Sequence, residues 1–254
     1  MSTQAGGTYL YAVLSGTQGP GEPGPIGLEG GEVYFVTVGN IAAAVSRVSR
    51  ARLRPERKHL LAHQAVLRRL MEHGSILPAT FGLVARDDEA VRGRLLESQS
   101  LFQEQLAHVA GKVEMGLKVS WSAPDLFGYF VARHPELAAA RDRMKSSNGI
   151  SREELISVGK LFENLREADR QVHAERVAAT LQERGIELKW NTPRGEREVM
   201  SFSCLVPREA LDTFEKVVEA AATGFDDHFT FEFNGPWAPH SFTELKPSAS
   251  AAEE

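Results

Sequence analysis

From Lys112 to Trp121 the chain alternates without a slip. Val113, Met115, Leu117, Val119 and Trp121 fall on one side of an extended backbone, and mostly polar residues fall on the other. A period of two belongs to a strand, and an apolar row on one face only predicts a sheet with one side packed on a core. Such a strand needs partners beside it and helices over it, and the sequence that follows supplies both. Pro124–Arg133 opens a helical region, broken at His134-Pro135 and again at Ser146-Ser147-Asn148-Gly149. Ser151 and Glu154 have the spacing of a capping box, which starts a long helix over Glu153–Arg184. Ile186–Trp190 and Arg197–Val206 read as strands around a turn, Arg208–Ala222 as a helix, and Phe225–Asn234 as a last strand. The order is strand, helices, strand, strand, helix, strand: a ferredoxin-like βαββαβ unit with an enlarged helical crossover. Its first and last strands are expected in one sheet.

The first half has a different order. Thr8–Ser15, Glu32–Val38 and Ile41–Val48 carry strand character, and Gly39-Asn40 between the last two is a hairpin-type dipeptide. The Gly- and Pro-rich stretch from Gly16 to Pro25 is a loop. Apolar residues Leu60, Leu61, Val66, Leu67, Leu70 and Met71 predict an amphipathic helix over Glu56–Glu72. Ile76–Gly82 is a short extended segment that Pro78, which cannot donate to a ladder, limits to an edge strand or an irregular one. One further helix is expected from Asp87 to about His108, with Val91, Leu95, Leu101, Phe102 and Leu106 among its apolar positions. The predicted fold class is therefore α+β with two domains: residues 1–110, an α+β domain, and residues 111–254, the ferredoxin-like one, ending in a short flexible tail.

Composition narrows the function classes. A hydrophobic share of 42% with 25% charged residues is that of a globular chain, and 254 residues can bury a sizeable core. A net charge of −5 gives no general attraction to nucleic acid or an anionic membrane. No window approaches the roughly 20 apolar residues of a membrane span. Met1–Gly7 lacks the basic and apolar regions of a signal peptide, so a cytoplasmic protein is expected. Cys204 is the one cysteine, which excludes an intramolecular disulfide and a cysteine-based zinc site.

Candidate chemistry is thin. His59 and His63 lie four apart on one predicted helix, but Leu60 stands where a zinc protease needs glutamate, and no third ligand is evident. Arg47, Arg50, Arg52, Arg54, Arg57 and Lys58 form a basic run suited to phosphates or an acidic surface, without the aromatics of a nucleic-acid platform. Gly21–Gly30 has neither the Lys-Ser/Thr of a phosphate loop nor the spacing of a dinucleotide fingerprint. There is no nucleophile elbow, and Cys204 lies inside a strand with nothing nearby in sequence to activate it. No catalytic residue, metal site or cofactor is expected. Two alternatives stay open: a ligand-sensing ferredoxin-like module, and a metal-dependent or phosphate-handling enzyme built on His59, His63 and the arginines.

The C-terminal stretch is the most distinctive. The aromatic strand ending Phe231-Glu232-Phe233-Asn234 meets Gly235-Pro236, where a sharp turn is expected, and Trp237-Ala238-Pro239-His240-Ser241-Phe242 follows. Trp237 and Phe242 should then cover an apolar surface or remain exposed for a partner. Together with Tyr9–Leu14, His63–Gly82 and Gly111–Trp121, this stretch resembles the GvpF/GvpL family of gas vesicle proteins. The four segments stand in the family's order, with His240 where many relatives carry tyrosine.

The resemblance implies a non-enzymatic accessory or minor structural role in forming gas vesicles, the protein-walled flotation organelles of some prokaryotes. It implies a place in the cytoplasm and at the gas vesicle. It implies as partners the small, apolar GvpA-like shell protein and other accessory proteins, with neither nucleic acid nor membrane. Phe233, Trp237, Pro239 and Phe242 are the partner-binding candidates. F-type and L-type members are not separated by these residues.

Overall fold

Gly7–Ser15 forms β1, and every residue of it but Ser15 is buried. A strand this apolar must lie inside a sheet rather than at its rim. In the computed structural model, which describes residues 6–16, 23–49, 53–146 and 151–245, it does. The remaining strands of this first sheet are β2 (Tyr34–Val38), β3 (Ile41–Val48), β4 (Ile76–Pro78) and the two-residue β5 (Val84–Ala85). The order is β2-β3-β1-β4, with β5 also on β1, and all pairings are antiparallel. The β2–β3 hairpin closes where Val38 faces Ile41, and Gly39 there has φ 57°, the left-handed region that glycine enters at no cost. As expected, Pro78 sits on a short edge strand. The segment 17–22 of the Gly/Pro loop, Arg50, Arg52 and the expected tail at 247–254 lie outside the described residues.

The chain divides into two units. One comprises Met1–Glu114, Leu205–Arg208 and Gly235–Glu254; the other comprises Met115–Cys204 and Glu209–Asn234. In the first, α1 (Arg57–Met71) buries His63, Val66, Leu67, Leu70 and Met71. Leu60 and Leu61 were expected on that stripe, but they are 40% and 59% exposed. The helical period explains the correction: Leu61 aligns with Gln64 and Arg68, and Leu60 lies in the first turn at the stripe's edge. The single helix expected up to His108 is two, α2 (Asp88–Glu97) and α3 (Gln99–His108), because Ser98 leaves helical geometry at φ −114°, ψ 17°. Asp87 caps α2 by accepting from the Ala90 N–H at 2.8 Å. Leu101 on α3 is exposed while Phe102 is buried. The core gathers Leu10, Val13, Val45, Leu77, Leu95 and Phe102, with Phe242 and Leu245 from the far end of the chain.

The second sheet contains β6 (Lys112–Trp121), β7 (Glu187–Asn191), β8 (Glu198–Pro207) and β9 (Phe229–Trp237), in the order β7-β8-β6-β9. Burial along β6 alternates without exception, and β6 and β9 lie in one sheet, as the sequence predicts, where they are neighbours. Four helices belong to the second unit: α4 (Leu126–Arg133), α5 (Pro135–Ser146), α6 (Arg152–Gln182) and α7 (Leu211–Ala222). The Ser151–Glu154 capping box forms as expected, with both reciprocal hydrogen bonds present. Burial on α6 falls on Arg166, Ala174, Val177, Ala178 and Leu181, whereas Leu155 and Val172, expected near the same face, are exposed. An apolar side chain is buried only where the fold covers it, and these two are left uncovered.

Arg170 on α6 stacks over Trp121 and donates to the carbonyls of Gly195 (2.8 Å), Glu196 (3.1 Å) and Glu198 (2.8 Å), which pins the β7–β8 connection. Phe229 and Phe231 both meet the Phe225 ring, at 4.8 and 5.0 Å between centroids, which puts them on one face of β9. The last strand corrects the sequence reading at its end: it does not stop at Gly235-Pro236 but runs on to Trp237. Two properties permit this. Gly235 takes φ 131°, which a side chain would resist, and β9 is an edge strand, the position in a sheet where proline is tolerated.

Candidate functional site

The four candidate residues are placed in three different environments. Phe233, 41% exposed, lies on β9 with its ring edge-on to Phe214 of α7 at 6.1 Å. Trp237 ends the strand and is 43% exposed. Pro239 and Phe242 are buried, so of the four only Phe233 and Trp237 present substantial surface.

The segment after Trp237 is held in detail. His240–Phe242 is a 3₁₀ turn. The Glu114 carboxylate accepts from the Ser241 N–H at 2.8 Å and from its hydroxyl at 2.6 Å. The Gln105 side-chain oxygen accepts from the Glu244 N–H at 2.8 Å. Phe242 and Leu245 then enter the first unit's core. The tail is therefore an integral part of that unit, and Trp237 stands where it enters.

Trp237 borders a groove of about 300 Å³. One wall is α1, through Gln64, Leu67, Arg68, Met71 and Glu72; the other is Gly235–Ala238, with Arg208 between them. Arg208 donates to the Met71 carbonyl at 2.8 Å, capping the end of α1 with a cation where the helix dipole favours one. A second, larger cleft of about 880 Å³ opens on the other side of α1, between Glu29, Ser49, Arg54, Glu56, Lys58 and His59. Two of its charged groups are engaged locally: Ser49 donates its N–H and hydroxyl to Glu29 at 2.9 and 2.8 Å, and Lys58 pairs with Glu56 at 3.1 Å. Among the described residues, none in this cleft couples a nucleophile to a base.

Of the described residues of the predicted basic run, Arg47 is set apart. Arg47 is drawn into a polar network in which its guanidinium donates to Thr8 and to Asp88, both at 2.8 Å, while Thr8 and Tyr34 also donate to Asp88. The two helical histidines diverge as well. His59 bonds the Arg54 carbonyl at 3.1 Å at the surface, whereas His63 is buried against Tyr9, whose hydroxyl meets Nδ1 at 2.9 Å. Burial, helped by the nearby charge of His240, pushes the His63 pKa down to about 4, and the Ala79 backbone works weakly the other way. Tyr11 stacks on the same imidazole and accepts from the Leu28 N–H at 2.7 Å. Among the described residues no group of three or more His, Cys, Asp or Glu is placed to hold a metal ion. Cys204 is buried. No described helix is long and apolar enough to cross a membrane.

Sequence reasoning missed the Tyr9–His63–Tyr11 cluster, the Glu114–Ser241 tie and the groove beside Trp237. Each joins residues more than 30 positions apart, and only the first left a trace: tyrosines at alternate positions of an otherwise apolar strand.

The profile of the family described as gas vesicle synthesis protein GvpL/GvpF matches residues 7–244. Gas vesicle protein F of Dolichospermum flosaquae is 28% identical over an alignment covering 93% of this chain and 97% of that protein. The crystal structure of GvpF from Microcystis aeruginosa superposes with a TM-score of 0.70 at 26% identity, covering 94% of this chain and 99% of the other. That of GvpF from Anabaena sp. PCC7120 reaches 0.80 at 24% identity, covering 96% and 100%, and shows the shared fold. The two-sheet α/β architecture and a family match over almost the whole chain agree: this protein belongs to the GvpL/GvpF family of gas vesicle proteins and has a gas vesicle-related role.

Proposed function

We propose that the protein is a non-enzymatic accessory or minor structural component that holds the small apolar shell protein, together with other accessory proteins, while gas vesicles are built. Family membership is the observation that carries this reading. A subunit that polymerises through apolar surface has to be kept from aggregating before it docks, and exposed aromatics beside a sheet edge are a common means of holding such a partner. Phe233 and Trp237 on the edge strand β9 have that character. Supporting a scaffold role, Glu29 and Lys58 in the 880 Å³ cleft are engaged by Ser49 and Glu56 rather than aimed at a reacting centre. Part of the proposal is that residues 111–254 form a modified ferredoxin-like unit; in its support, the first strand of the second sheet lies between the third and the fourth, and three helices fill the first crossover.

The reading is tested by co-expressing the tagged protein with the shell protein from the same gene cluster. A complex that survives purification, and that Phe233→Ala with Trp237→Ala weakens without unfolding the chain, is the expected result. Shell protein that aggregates equally with and without this chain, and never co-purifies, would sink the proposal.

A further inference from the structure

Helix α1 carries Arg57, Lys58, Arg68 and Arg69 and not one carboxylate between Arg57 and Met71, in a chain whose net charge is −5. Helix stability accounts for only half of the pattern: Arg68 and Arg69 in the last turn suit the helix dipole, but Arg57 and Lys58 do not. Cations in a first turn oppose the helix dipole, and α1 has no acid there to offset Arg57 and Lys58. Lys58 and Arg69 lean on Glu56 and Glu72 just beyond the helix ends.

On the exposed side, Arg57, Leu61, Gln64 and Arg68 follow at spacings of four, three and four, which is one stripe along the helix. That stripe is apolar at its middle, where Leu61 is 59% exposed with Leu60 beside it, and cationic at both ends. Its length, from Arg57 to Arg68, is roughly 16 Å, or three turns. It continues into the groove that Gln64, Leu67, Arg68 and Met71 share with Pro236 and Trp237. Arg208 adds a further cation on the groove wall.

We infer that this face of α1, with the Trp237 groove, is a docking surface for an acidic amphipathic helix of another protein. The partner's apolar stripe covers Leu60, Leu61 and the groove, and its flanking carboxylates meet Arg57 and Arg68. The apolar contact supplies area, and the opposite charges fix orientation and exclude basic helices. The inference rests on α1 and the tail, not on any gas vesicle role.

The test uses the full chain and two labelled peptides of about 18 residues, roughly five helical turns. Both carry the same leucine stripe; one has glutamate and the other lysine at the flanking positions. Fluorescence anisotropy should show the glutamate peptide binding at least about tenfold tighter, a gap of about 1.4 kcal/mol, and the preference should shrink at high salt. Arg57→Glu with Arg68→Glu should abolish or invert the preference, and Leu61→Ser should weaken the glutamate peptide about tenfold, with circular dichroism confirming folded protein. The peptide-sign and salt comparisons on the unmutated chain need no variant to fold. Equal binding of both peptides, no binding of the glutamate peptide, or indifference to these substitutions would overturn the inference. Binding to phosphatidylglycerol vesicles in place of the glutamate peptide would also overturn it, by assigning the face to an anionic lipid surface.

Discussion

Glu114 grips Ser241 at two atoms, with one carboxylate oxygen on the backbone N–H at 2.8 Å and the other on the hydroxyl at 2.6 Å. The two residues are 127 positions apart, so this bond fixes where the C-terminal segment enters the first unit's core. Hydrogen bonds to a charged group contribute about 1.5–3 kcal/mol each, and removing the acceptor strands two donors at once. Glu114→Ala should therefore cost about 3 kcal/mol in urea unfolding, and Ser241→Ala, which keeps the backbone bond, about half of that. Equal and negligible losses would show that the tail is held by its apolar contacts alone.

Trp237 and Phe242 should separate cleanly. Phe242 is buried with Leu245 among the first unit's core residues, so Phe242→Ala is expected to cost about 3–5 kcal/mol. Trp237 is 43% exposed, and Trp237→Ala should cost less than about 1 kcal/mol. Chemical denaturation of both variants checks this; a large loss from Trp237→Ala would assign that ring to the core.

His63 makes stability depend on pH. Its pKa falls to about 4 in the folded chain against an ordinary value of 6.5, so between those two values the unfolded chain binds the extra proton. The contribution is complete above pH 6.5 and is lost as pH falls through the folded value, amounting to about 3 kcal/mol over the window. His63→Gln, which can still bond the Tyr9 hydroxyl, should flatten the slope of unfolding free energy between pH 4 and 6.5. An unchanged slope would place the titrating group elsewhere.

The start of α6 depends on one side chain. Ser151 accepts from the Glu154 N–H at 3.1 Å while the Glu154 carboxylate accepts from the Ser151 N–H at 2.9 Å. Ser151→Ala should destabilise the chain by about 1 kcal/mol and increase amide hydrogen exchange in the first turn of α6; no change in exchange would contradict the cap's role.

Most of the architecture was legible where periodicity is strong. The alternation of Lys112–Trp121, the Gly39-Asn40 hairpin and the Ser151 box each express a local rule, and each appears as read. What escaped depended on tertiary cover. Nothing in the order of residues says that Leu60, Leu61, Leu155 and Val172 lack a covering element. The break at Ser98 is a single pair of dihedrals inside an otherwise helical sequence. Gly235-Pro236 reads as a stop, yet an edge strand carries it. The aromatic tail was visible as unusual, but its division into a buried Phe242 and an exposed Trp237 depends on Glu114 and Gln105, both more than 120 positions from the residues they hold.

A part in gas vesicle formation is read most directly from vesicle yield in a host carrying the whole gene cluster with only this gene removed. Electron microscopy and pressure-sensitive light scattering should show vesicles absent or severely depleted, and restored when the intact chain is supplied in trans. Intact vesicles at normal yield without the protein would contradict an essential role in their assembly.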